Sequence, residues 1–335
     1  MKAAFRAACA TIALLSAPVL AHAGDSGLHV IDTVHIGGTG GWDYASFDSV
    51  ARRLYVAHGA SIAAVDVDSG KVTPHLADAQ GAHIALPLGD GKTILITQGK
   101  ANKVSFVDAM TGAVLADVAT PGKPDGALLD PATGRIFVLD NDGGRIDAID
   151  PKTRALVGSI ALKGAPEGSA ADGKGLIFVH FEDANALVVI DARTLSVKAT
   201  YDLKDCEEPS GLAFVADQRL ILSACKGGIA RITNADTGAE VATVAIGQRP
   251  DGALYDARTH LGYVPSGDGK LTVISFDGAP HVVETVATKA GARTAALDPA
   301  TGHVFLPTAD FGPAVTAGER PPILPDTFEV LVIGK

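Results

Sequence analysis

The chain has 335 residues, of which 28 are Lys or Arg and 38 are Asp or Glu, giving a formal charge of −10 at pH 7. An acidic surface without a run of basic residues repels phosphate backbones and anionic lipids, which argues against nucleic acid as a partner. Aromatic residues make up only 5% of the chain, too few for a broad sugar-stacking surface.

The first element in chain order reads as a leader. Lys2 and Arg6 precede or open an apolar run, Ala7 to Leu20, that ends in Ala21-His22-Ala23. The run is too short to span a bilayer, and the small residues Ala21 and Ala23 suit signal-peptidase cleavage after Ala23. Residues 1–23 are therefore expected to be removed on export to the periplasm, leaving residues 24–335 as a single domain without membrane insertion. Of the three cysteines, Cys9 leaves with the leader. Cys206 and Cys225 remain, and an oxidising compartment makes a disulfide between them the natural reading, with a thiolate pair on a soft metal as the alternative.

Leu28 to Ile36 reads as a strand standing ahead of a repeat. Seven units then open on Trp42-Asp43-Tyr44-Ala45, Ala82-His83-Ile84-Ala85, Pro124-Asp125-Gly126-Ala127, Pro166-Glu167-Gly168-Ser169, Pro209-Ser210-Gly211-Leu212, Pro250-Asp251-Gly252-Ala253 and Ala292-Arg293-Thr294-Ala295. Their spacing of about 42 residues is a propeller period. Each unit repeats one grammar, seen clearly in the third: a short strand, the turn Asp130-Pro131-Ala132-Thr133-Gly134, a strand Ile136 to Leu139, a strand Ile146 to Asp150, the turn Pro151-Lys152-Thr153, and a strand Ala155 to Leu162. Four strands per unit make one blade, so the expected fold is all-β, a seven-bladed β-propeller. The last unit supplies strands around Ala295 to Asp298, His303 to Leu306 and Phe328 to Ile333, one short of a blade. Leu28 to Ile36 is expected to complete it and close the ring without an open edge.

Runs such as Arg135-Ile136-Phe137-Val138-Leu139-Asp140 and Val189-Ile190-Asp191-Ala192-Arg193-Thr194 resemble the YVTN repeats of the periplasmic YncE-like propeller family, over essentially all of residues 24–335. The resemblance implies the fold and export. Its repeat residues are scaffold, so it does not specify an activity. Some relatives bind single-stranded DNA, a role that the acidic balance and the single tryptophan run against here.

In a four-stranded blade the inner strand begins, and the second strand ends, on one face of the disc. The second residue of the seven tetrads reads Asp43, His83, Asp125, Glu167, Ser210, Asp251 and Arg293. Carboxylates gathered on one ring repel one another and must take up protons or share a cation. Asp43, His83, Asp125 and Glu167 are the candidate ligands for a divalent metal, with Ca, Mn, Mg and Zn all compatible. Asp43, Asp125, Glu167, Asp251 and Arg293, with Gln98 and His180, are the candidates for holding a small polar ligand. The plainer reading is a wet polar channel in which Asp residues cap backbone amides.

The second strands end near His58, Gln98, Asp140, His180, Cys225, Ser266 and Thr308. His83, and after it His58, are the candidate bases if the chain is an enzyme. Strand alternation can turn His180 away from the channel in favour of Phe181. The proline-rich segment from Asp310 to Asp326, carrying Glu319 and Arg320, falls on the mouth face and reads either as a lid or as a plain surface loop. Gly-rich phosphate loops, HExxH, paired CxxC and CxxCH are all missing from the sequence. The leading expectation is therefore a monomeric periplasmic propeller that binds a small polar ligand or divalent metal at its mouth. The alternatives are a metal-assisted lyase or lactonase-type hydrolase on the same ring, and a scaffold for a periplasmic protein.

Overall fold

The turns of the repeat work locally. Asp108 Oδ1 accepts hydrogen bonds from the Met110 and Thr111 amides and from the Thr111 hydroxyl, and Gly112 follows in the left-handed region with φ +74°. Asp130, Asp191 and Asp298 cap their own turns in the same manner. Such caps fix tight hairpins, and the intervening Val- and Ile-rich runs pair as antiparallel strands. The computed structural model describes residues 27–314 and 321–335. The expected leader with Cys9, and the loop residues Glu319 and Arg320, lie outside the described residues.

Seven four-stranded antiparallel sheets form the ring of a propeller, and no α-helix occurs among the described residues. Blade one runs outward through Trp42–Asp48, Arg53–His58, Ser61–Asp66 and Val72–Asp78. The last blade joins Ala296–Leu297, Val304–Thr308 and Glu329–Gly334 to His29–His35, which becomes its outermost strand. His29 pairs with Gly334 and His35 with Glu329, so the expected closure forms.

The second and third strands are buried almost end to end, because each is covered by a neighbouring blade on both faces. Apolar clusters accordingly lie between blades. Leu139 and Ile146 of blade three pack with Ile177 and Val188 of blade four. Tyr55 and Ile62 of blade one pack with Ile94 and Ile96 of blade two. Leu28 and Ile36, flanking the closing strand, enter clusters on either side of blade seven.

A recurring irregularity aims the inner strands. In blade one Trp42 pairs with His58 and Ala45 with Val56, so Asp43 and Tyr44 together oppose Ala57 alone. The same two-against-one step falls at His83, Asp125, Glu167 and Ser210. A bulge of this kind lifts residues out of the ladder and re-aims their side chains. Space beside it is short. A Cβ on Gly168 would stand 1.9 Å from the Ser210 carbonyl oxygen, and one on Gly211 2.2 Å from the Gly252 carbonyl carbon.

The Cys206–Cys225 disulfide forms with its Cα atoms 5.1 Å apart. It ties the loop entering blade five to the end of that blade's second strand, and both cysteines are buried.

Candidate functional site

The bulges of blades one, two and three bring Asp43, His83 and Asp125 together. His83 Nδ1 lies 2.7 Å from Asp43 Oδ2 and 3.0 Å from Asp125 Oδ1, and one donor atom from each of the three residues falls within 4.8 Å of the others. A single imidazole nitrogen thus faces two carboxylates. It can give its one proton to either, or release the proton and share a cation with both.

Neighbouring backbone holds this geometry. Thr97 Oγ1 accepts from the Ile84 amide and donates to the Asp125 carbonyl, clamping the inner strands of blades two and three beside His83. The short 3-10 turn Gly99–Ala101 follows, and a Cβ on Gly99 would stand only 2.9 Å from His83 Nε2.

Burial pushes the Asp125 carboxyl up to about 6, with the His83 charge opposing and the Asp43 charge adding. Burial also pulls the His83 imidazole down. The hydrogen bond to Asp43 and the charges of Asp125 and Asp43 outweigh it, and the net shift is upward.

Glu167 is brought to the ring but not into this group. The Tyr44 hydroxyl reaches from blade one to blade four and donates to Glu167 Oε1 at 3.1 Å, while Asn141 donates to Oε2 at 3.2 Å. Burial, then the charges of Asp125, Asp251 and Glu182, raise Glu167 to about 9 against the Tyr44 bond. At neutral pH it is a protonated acid. Burial, then the charge of Glu167, holds the Tyr44 phenol well above its ordinary value, so it remains a donor. Asp251 forms an ion pair with Arg293, Nε to Oδ2 at 2.8 Å. Burial lifts Asp251 to about 6, with Arg293 opposing.

Three other candidates are buried away from the ring carboxylates, His58 and His180 against a neighbouring blade and Gln98 within blade two. Gln98 is buried, accepting from the Gln80 amide and donating to Ser105 Oγ. His58 stacks on Phe328 with ring centroids 3.9 Å apart, and burial lowers its pKa. His180 is fully buried with Nε2 2.8 Å from Ser223 Oγ, and burial drives it down to about 3. Phe181, its neighbour, joins the core between blades three and four. The pleat explains the difference: ends of second strands face adjacent blades, whereas the bulged residues face the axis.

Trp42 divides the mouth, packed near Phe311 and Phe328 with centroid distances of 6.0 and 5.7 Å. A cleft of about 490 Å³ on blades one and two takes in Asp43 and Lys100. A second, of about 660 Å³, runs from blade four round to blade one and takes in Glu182, Glu208, Arg249 and Arg293. The flanks of the proline-rich segment meet through the Gly312 amide and Pro322 carbonyl at 2.8 Å, and Phe311 and Ile323 line this larger cleft.

Tyr44, Glu182, Glu208 and Arg249 were not among the site residues expected from the sequence. The one signal for Tyr44 is that it fills a tetrad position held by glycine in Gly126, Gly168, Gly211 and Gly252.

No family model matches the sequence, and no curated protein matches it. Many solved structures are similar in fold, two of them as follows. A chain in a crystal structure of the mitotic checkpoint complex is 16% identical, with a TM-score of 0.75 over 97% of this chain and 98% of that one. A chain of Kuenenia stuttgartiensis hydrazine synthase is 17% identical, with a TM-score of 0.68 over 80% of this chain and 92% of that one. At these identities the likeness speaks for the propeller fold alone.

Proposed function

We propose that the protein is an exported, periplasmic propeller of the YncE-like type, with residues 24–335 as its mature domain, that binds a divalent cation at the channel mouth through Asp43, His83 and Asp125. The observation carrying this reading is the single His83 nitrogen held within 3.0 Å of two carboxylates from different blades. One imidazole with two carboxylates suits Mn²⁺ or Zn²⁺ better than Ca²⁺, which prefers an all-oxygen shell. Three protein ligands leave coordination positions for a small polar ligand, and export is supported by the disulfide and by the Ala7–Leu20 leader.

The neutral acid at Glu167 favours a second reading, a metal-assisted lyase or lactonase-type hydrolase. There the cation would polarise a carbonyl and Glu167 would donate a proton. His83 on the cation could not also serve as base.

The test is elemental analysis of oxidised protein purified without chelators, beside His83→Ala and Asp125→Asn. The expected result is one equivalent of a divalent metal in the unaltered chain and little in either variant, with unchanged circular dichroism. An unaltered chain that stays metal-free after incubation with Mn²⁺ and Zn²⁺ overturns the reading.

A further inference from the structure

The cation site uses one side of the mouth and leaves the cleft of about 660 Å³, a volume suited to a small organic molecule. Most of the charges lining it answer one another. Glu182 and Glu208 form an acidic wall at blades four and five, and Lys226 stands with them. Lys226 pairs with Glu208. Burial, then the charge of Glu208, raises the Glu182 carboxyl, and the Lys226 charge opposes both. At blade seven Arg293 meets Asp251 through Nε.

Arg249, at blade six, is left over. It is exposed, and its guanidinium donates to the Gly267 carbonyl at 3.1 Å and meets no carboxylate among the described residues. The repeat shows where its counter-charge would stand. Glu208 and Arg249 hold the same place before their tetrads, both with left-handed backbone at φ +41° and +56°. In blade five Pro209 pairs with Cys225, and the next residue, Lys226, supplies the charge opposite Glu208. In blade six Pro250 bridges to Ser266, and the next residue is Gly267, which has no side chain. Asp268, after it, is engaged by Lys270 at 2.8 Å. Arg249 therefore lies along bare backbone, where a Cβ on Gly267 would stand 3.4 Å from its own Cβ.

The wall beyond blade seven is apolar. Trp42 and Phe311 stand side by side there. Gly291 makes room for them, since a Cβ at its φ of +88° would come within 2.8 Å of Phe311 and 3.1 Å of Trp42.

We propose that this cleft binds an organic monocarboxylate with an apolar body, its carboxylate on Arg249 in place of the missing counter-charge and its apolar group against Trp42 and Phe311. A guanidinium presents a planar fork of donors that matches a carboxylate, and a charge leaving water must meet a partner. One uncommitted cation answers one negative charge. A phosphate or a dicarboxylate would bring a second charge toward Glu182, Glu208 and Asp251, and an amine would face Arg249 while Lys226 already holds the acids. The proposal concerns different residues from the cation site and stands without it.

The experiment is titration calorimetry on the oxidised full chain, stripped with EDTA and dialysed so that no metal can hold a carboxylate. The probes are 3-phenylpropionate, its neutral isostere 3-phenylpropanamide, and propionate. 3-Phenylpropionate is expected to bind at least about tenfold more tightly than either of the others. Arg249→Gln should remove the preference for the acid over the amide and leave the amide unchanged. Phe311→Ala should weaken acid and amide by a similar factor. No binding of 3-phenylpropionate, equal binding of acid and amide, or a preference that survives Arg249→Gln would each overturn the proposal. Metal content measured before stripping reports on the cation site separately.

Discussion

Glu167 sits among acids inside the protein, and taking up a proton relieves it, as a shared cation would relieve Asp43 and Asp125 in the proposed reading. Its folded-state value of about 9 lies well above the ordinary glutamate value of about 4.3. The folded chain therefore holds this proton more tightly than the unfolded one, and the stability associated with the group falls as pH rises through that window. Glu167→Gln, a neutral isostere, should raise the melting temperature near about pH 8 by about 2 °C or more, and change it little near about pH 4. Thermal melts at both values check this, and a lower melting temperature at the higher pH would return Glu167 to the cation ligands. Tyr44→Phe should cost about 1 kcal/mol in denaturant titrations, because it takes a hydrogen bond from a buried acid.

At this scale the alignment of tetrads placed Asp43, His83 and Asp125 on successive blades, and their convergence follows from it. The state of Glu167 depends on how much protein surrounds it, which no spacing encodes. His58, Gln98 and His180 were drawn toward the mouth by their strand position alone, and the packing of adjacent blades turned them inward.

Strands and turns were the most legible features, since their signals are local. The strands expected at Ile136 to Leu139 and Ile146 to Asp150 form as Ile136–Asp140 and Arg145–Asp150. The inner strands of blades six and seven are shorter than the repeat suggests, at Leu254–Asp256 and Ala296–Leu297, because Pro250 makes only an isolated bridge to Ser266 and the blade-seven tetrad stands before its strand. The close approaches carry the sharper consequence. Gly112→Ala would put a methyl 1.7 Å from the Leu76 carbonyl oxygen at a left-handed φ, and should lower stability by more than about 1 kcal/mol, read from the denaturant midpoint. Replacing Cys206 and Cys225 together by Ala should cost about 3 kcal/mol on the chain-entropy account, read the same way.

The number of blades and the closing strand were both readable at the level of the whole molecule, because a regular period and one unmatched strand leave few ways to complete a ring. Removing residues 24–36 would strip Leu28 and Ile36 from their clusters and leave the strand Glu329–Gly334 as an open edge. That variant is expected to associate into larger species on size-exclusion chromatography while the full chain elutes as a monomer. The larger cleft was not legible. Glu182, Glu208, Arg249 and Phe311 come from loops of four different blades; Glu208 and Arg249 share the place just before the tetrad, with opposite charges, and only the closed ring makes the four line one cleft.

The disulfide reaches further than blade five. Glu208 lies two residues beyond Cys206, Lys226 directly follows Cys225, and the Lys226 amide donates to the Glu207 carbonyl at 2.9 Å. The covalent link that fastens this loop therefore also sets the spacing of the acidic wall. A chain matured in a reducing cytosol would keep its blades and lose that wall's fixed geometry. Ligand screens on such material would sample a different mouth, so the place where the protein matures is part of the definition of what it binds.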